Sequence, residues 1–150
     1  MRLGELARLR LGDIDLVTGE VHIRPHRDGR KSKARTLFMG ARTRQTVWRY
    51  IAKQQASTND QSLPLIELQP QSIKTLVNRI GANAKVTDVH PHKFRHTFAI
   101  TFLRNGGDVF TLQKLLGHST LDMTKKYLDI AKTDVESAHR KASPVDNWRL

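Results

Sequence analysis

The chain contains no cysteine, which excludes disulfides, cysteine-ligated zinc and thiol catalysis and suits a reducing cytoplasm. Long hydrophobic runs are also missing. No stretch approaches the ~20 apolar residues of a membrane span, and no secretory h-region is found. Internal repeats and low-complexity tracts are absent. Acidic residues are scarce: 14 Asp+Glu stand against 26 Lys+Arg, a formal net charge of +12. Such a field favours nucleic acid or an anionic membrane surface, and the lack of any span directs the reading to nucleic acid.

The 150 residues, 38 % of them hydrophobic, are about one domain with enough apolar material for a core. Apolar residues at 3, 6, 7 and 9 read as an opening helix from Met1 to Leu9, and Asp13 to Leu16 as a short extended piece. Glu20-Val21-His22-Ile23-Arg24 alternates as a strand, and Ala34 to Met39 returns as a second with Leu37 and Met39 on one face. The hairpin tip, HRDGRKSK from His26 to Lys33, is basic. Ala41 to Ala56 predicts a helix with Val47, Trp48, Ile51 and Ala52 inward and Arg42, Arg44, Arg49 and Lys53 outward. Pro64-Leu65-Ile66 reads as an edge strand, and another helix runs from Pro70 to about Ala84. The expected class is α+β, mostly helical, with a small antiparallel β-sheet.

The richest chemistry lies between His90 and Leu128. His92 and Arg95 are three apart and share one helical face. Phe94, Phe98, Phe102 and Leu103 recur at helical spacing and read as core. Asn105-Gly106-Gly107 ends that helix. Asp108 then caps a short helix from Val109 to Leu116, burying Val109, Leu112, Leu115 and Leu116. Gly117-His118-Ser119 turns with a histidine at its apex, and a last helix presents Tyr127. Cations, imidazoles and a phenol on successive elements suit attack on an anion. His90, His92 and His96 suggest a metal trio, but no carboxylate third ligand has the right spacing and basic surroundings repel a cation. No metal or cofactor is expected, and His96 reads as a buried, hydrogen-bonded histidine. Beyond Tyr127, Ala131 to Ala142 reads as a helix, followed by a tail with Val145, Trp148 and Leu150.

HKFRH, LLGHS and Tyr127 together resemble the motifs of the tyrosine recombinases, also called phage integrases. That family carries His-x-x-Arg, then Leu-Gly-His, then a tyrosine about nine residues on, and 127−118 gives nine. Arg2 and Glu5 fall on its Gly-Leu-Arg-x-x-Glu-Leu motif. The resemblance implies the family's catalytic-domain fold and a catalytic set of Arg2, Lys31, His92, Arg95, His118 and Tyr127. The lysine rests on the hairpin. Gly29-Arg30-Lys31-Ser32-Lys33-Ala34-Arg35 departs from the family pattern, and aligning Arg35 puts Arg30 at the lysine's place. Arginine holds its proton too tightly to donate it, so Lys31 is taken, with a phosphate-gripping basic loop as the alternative. The resemblance further implies that residues 1–150 are a catalytic domain without the N-terminal DNA-clamping domain and first catalytic helices. Double-stranded DNA is the implied substrate and partner, four copies the implied assembly, and a 3′-phosphotyrosyl link the implied intermediate. An inactive DNA-binding remnant and a type IB topoisomerase are the rival readings.

Overall fold

Alternation along Glu20–Ile23 decides the first pairing. Val21 and Ile23 turn inward and are buried, while His22 faces solvent. This strand, β1, pairs antiparallel with β2 (Arg35–Phe38), setting Val21 opposite Leu37 and Ile23 opposite Arg35. The computed structural model describes residues 1–25, 33–54, 60–131, 139 and 143. Among them the class is α+β, six helices with one two-stranded antiparallel sheet. The chain divides into two units, residues 1–95 and 96–150.

In the first unit the opening helix, α1, is confined to Leu3–Leu6. It stops short of the expected Leu9 because the next backbone groups find tertiary partners. The Leu9 carbonyl accepts from the Leu65 amide at 2.8 Å, and the Leu11 amide donates to the Leu63 carbonyl at 3.0 Å. Arg10 bridges Pro64, so the expected edge strand survives as a single antiparallel bridge. Leu11–Asp13 forms a 3-10 turn; of the extended piece expected from Asp13 to Leu16, Asp13 closes that turn and Ile14 is extended and bridges Val21. Buried Asp13 takes the Arg10 amide at 2.9 Å and Arg24 Nε at 2.6 Å, so its charge is matched. Leu9, Leu11, Val21, Ile23 and Leu65 form the core.

Helix α2 (Ala41–Gln54) lays Val47 and Ile51 against that core. Trp48 and Ala52, expected inward, are exposed, Trp48 by 57 %. Val47 and Ile51 lie one turn apart and already fill the contact. Trp48, about 100° further round the helix, lines an open cleft with Leu16, Arg42 and Arg44 instead. Helix α3 (Pro70–Asn83) starts on a proline, whose missing N–H costs nothing at a first turn, and buries Ile73.

Helix α4 (Pro91–Arg104) gives its first turn to the first unit and the rest to the second. Ala99 and Leu103 point into the second core, with Ile100 and Phe102 packed beside them. Phe94 and Phe98, expected as core, are 58 % and 49 % exposed, since the buried positions, Ala99 and Leu103, form a separate row about 100° further round the helix. Gly106, at φ 86°, makes the break after Arg104. The Asp108 carboxylate accepts from the amides of Phe110 and Thr111 at 2.9 Å each, capping α5 (Val109–Leu116). Thr111, through hydroxyl and amide, and then the Phe110 amide hold that carboxyl below the usual carboxylate range. Its contribution to stability is therefore present above the ordinary aspartate pKa and lost as pH falls through the depressed one.

Ala99, Leu103, Leu112, Leu116 and Tyr127 close the second core, with Tyr127 supplied by α6 (Asp122–Ala131). Leu112 is fully enclosed. Leu112→Ala should cost about 2–5 kcal/mol of that unit's stability, read as an earlier urea transition with unchanged slope.

Candidate functional site

Four cationic or acidic side chains gather in the first unit. The Arg2 amide donates to Glu5 Oε2 at 2.6 Å, and its guanidinium reaches Oε1 at 3.2 Å. Arg35, at the start of β2, grips the same carboxylate with both terminal nitrogens, at 2.9 and 2.8 Å. The Glu5 and Arg35 side chains are 2 % and 8 % exposed. A planar fork on a carboxylate in a dry setting is the strong form of an ion pair. Arg95 belongs to this corner too. The Met1 amino group is held below its ordinary value by burial first and then by the charge of Arg95, with Glu5 opposing. Nη1 of Arg95 is shut off from solvent. Arg2 and Arg95, taken from separate motifs, thus both act on the Met1 amino group.

His92 is exposed one turn before Arg95 on α4. Lys93 and His90 beside it face Asp88 at 2.7 and 3.7 Å. The expected lysine, Lys31, and its neighbour Arg30 lie outside the described residues; Lys33 is exposed. The helix and tail expected after Ala131 lie largely outside them as well.

The second unit holds the histidine and the tyrosine. Gly117 takes φ 64°, its amide donates to the Lys114 carbonyl at 3.1 Å, and the His118 amide donates to the Gln113 carbonyl at 3.1 Å. This paired ending of α5 seats His118 directly after the last turn. Its ring lies nearly parallel to that of Tyr127, centroids 6.3 Å apart and planes 10° apart. Nδ1 of His118 meets the Thr124 hydroxyl at 2.9 Å. His96 also lies beside Tyr127, with ring centroids 5.5 Å apart and planes tilted by 51°. His96 is exposed, a correction to the buried role expected for it, since the tyrosine takes the core position. Tyr127 is itself only 6 % exposed.

Two contacts escaped the sequence. Arg35 served there only to align the hairpin, and nothing marked Thr124. Thirty positions separate Glu5 from Arg35, and no local pattern announces such a pair. Among the described residues no three His, Asp or Glu side chains gather as metal ligands, and no helix is long and apolar enough to cross a membrane.

The chain as a whole is similar to known proteins. A tyrosine recombinase XerC from Oceanobacillus iheyensis is 32 % identical over 158 residues, covering 98 % of this chain and 50 % of that protein. One from Staphylococcus carnosus is 32 % identical over 151 residues, covering 96 % and 50 %. The chain spans about half the length of the curated relatives it matches. In structure it is similar to the XerA recombinase, with a TM-score of 0.73 and 28 % identity over 99 % of this chain and 54 % of that one. The XerH site-specific recombinase in a post-cleavage complex with its difH substrate shares the fold, with a TM-score of 0.69 and 22 % identity over 93 % and 41 %. The phage integrase family model matches residues 1–134, a span that runs from Arg2 through Tyr127, and the chain belongs to that family.

Proposed function

We propose that this chain cuts and rejoins DNA strands at specific sites, as the catalytic domain of a tyrosine recombinase, with Tyr127 as nucleophile. The reading is carried by the parallel packing of Tyr127 on His118, inside a family match that runs through both. Cleaving a phosphodiester requires a nucleophile, charge stabilisation on the non-bridging oxygens and a proton for the departing oxygen. The Tyr127 oxygen attacks phosphorus, and the His92 imidazole takes the phenol proton. Arg2 and Arg95 fork onto the non-bridging oxygens, with His118 donating a further hydrogen bond. The 5′ oxygen leaves with a proton from the hairpin, where Lys31 is the assigned donor. The 3′-phosphotyrosyl link conserves the bond energy for rejoining to another strand.

In this reading duplex DNA is the partner, four copies assemble on it, and no metal or nucleotide takes part. The setting is the cytoplasm. The +12 net charge supports binding through phosphates. Affinity should therefore drop about 10³-fold between 50 and 200 mM salt if some six phosphates are neutralised; a flat response would remove the phosphate-binding part of the reading. The direct test mixes the chain with a pool of nicked duplexes and looks for a covalent adduct on a denaturing gel. An adduct establishes strand transfer chemistry. Salt-sensitive binding without one would leave a DNA-binding protein instead.

A further inference from the structure

We infer that the buried hydroxyl of Thr124 is a positioning group for His118: it donates to Nδ1 and thereby holds the ring's proton on Nε2. The inference rests on the strand-transfer reading for its purpose, though its geometry stands apart from it. Thr124 is 0 % exposed, so water cannot satisfy its hydroxyl, which has one proton to give. The helical threonines Thr46 and Thr75 give theirs to the carbonyl one turn back, at Arg42 (3.0 Å) and Gln71 (3.1 Å). Thr124 does not. Among the described residues its side chain has one hydrogen-bond partner, Nδ1 of His118 at 2.9 Å. Were Nδ1 protonated, the hydroxyl would have to accept, and its own proton would be buried with no acceptor, an arrangement folded proteins avoid. Nδ1 is therefore the acceptor. A neutral imidazole carries only one N–H, so the proton sits on Nε2.

That tautomer matters for an anionic substrate. An Nε2–H ring offers a donor to a phosphate oxygen, while an Nδ1–H ring would turn a lone pair toward it. The ending of α5 fixes the histidine backbone, the Tyr127 ring packs against its face, and Thr124 decides the remaining freedom, the proton. Orientation of a working histidine through its second nitrogen is a general device.

The test has two arms on the full 150-residue chain. In the first, ¹⁵N–¹H NMR of the His118 ring near pH 8 reads the tautomer directly. A proton on Nε2 with Nδ1 as hydrogen-bonded acceptor is expected, and a proton on Nδ1 would overturn the inference. In the second, adduct formation is compared for Thr124→Val, which keeps the shape, and Thr124→Ser, which keeps the hydroxyl. Valine should slow cleavage about 10- to 100-fold, by analogy with the losses when the outer partner of a metal-bound histidine is removed, and serine should restore most of the rate. Equal rates for valine and the parent would also overturn it. A parent chain that forms no adduct on any duplex, yet carries the Nε2 proton, would sink the strand-transfer reading and leave the tautomer assignment standing.

Discussion

Tyr127→Phe should abolish covalent protein–DNA adduct altogether while leaving the fold within about 1 kcal/mol of the parent. The two halves of that expectation have separate causes. The phenylalanine ring keeps the shape that fills the core with Ala99, Leu103, Leu112 and Leu116, and the loss is one hydroxyl, a group whose net contribution is typically about 1 kcal/mol. Chemistry allows no such tolerance. Without the phenol oxygen there is no atom to bond phosphorus, and neither neighbouring imidazole can supply the same 3′-phosphotyrosyl link. The measurement pairs a denaturing gel with a urea melt. Adduct surviving in the variant would move the nucleophile elsewhere and dismantle the proposed mechanism. A variant that fails to fold would instead put the Tyr127 hydroxyl in the core's hydrogen bonding.

Glu5→Ala should be the most damaging single change to the first unit, about 3–5 kcal/mol. The carboxylate is 2 % exposed and holds Arg2 on one side and the 8 %-exposed Arg35 on the other. Deleting it removes the buried carboxylate that both guanidinium groups share, and losing that charge from a dry setting is the dominant cost. It also frees Arg2 from the contact that aims it. Urea unfolding measures the first effect. The second should appear in Glu5→Gln, which keeps the shape but not the charge, as slower cleavage in protein that remains folded. A Glu5→Ala chain melting with the parent would mean that solvent reaches the corner and that the ion triad holds nothing in place.

Much of the fold was legible because it is locally encoded. The alternation at Val21 and Ile23, the Asn105-Gly106-Gly107 break, the Asp108 cap and the Gly117 turn each act within a few residues of themselves, and each formed as expected. Errors came where two local solutions were equally good. An apolar stripe does not say which of its members will find a partner: Trp48, Phe94 and Phe98 stay exposed while Val47, Ile51, Ala99 and Leu103 fill the cores. The opening helix is shorter than its apolar spacing suggests for a similar reason. Its later backbone groups had partners at 61–65 that no periodicity in residues 1–9 reveals.

The sequence by itself determined the family. The order and spacing of Arg2, His92, Arg95, His118 and Tyr127 are one-dimensional facts, and the match over residues 1–134 rests on that kind of information. It also determined the charge, and with it the class of polymer the surface favours. Tertiary structure alone decided that Arg35 shares a buried carboxylate with Arg2, that Tyr127 is enclosed against two imidazoles, and that Thr124 reaches Nδ1 of His118. Composition and period act through residues adjacent in the chain. Burial, ion pairing and the choice of a tautomer depend on which atoms remain to satisfy a group once water is excluded.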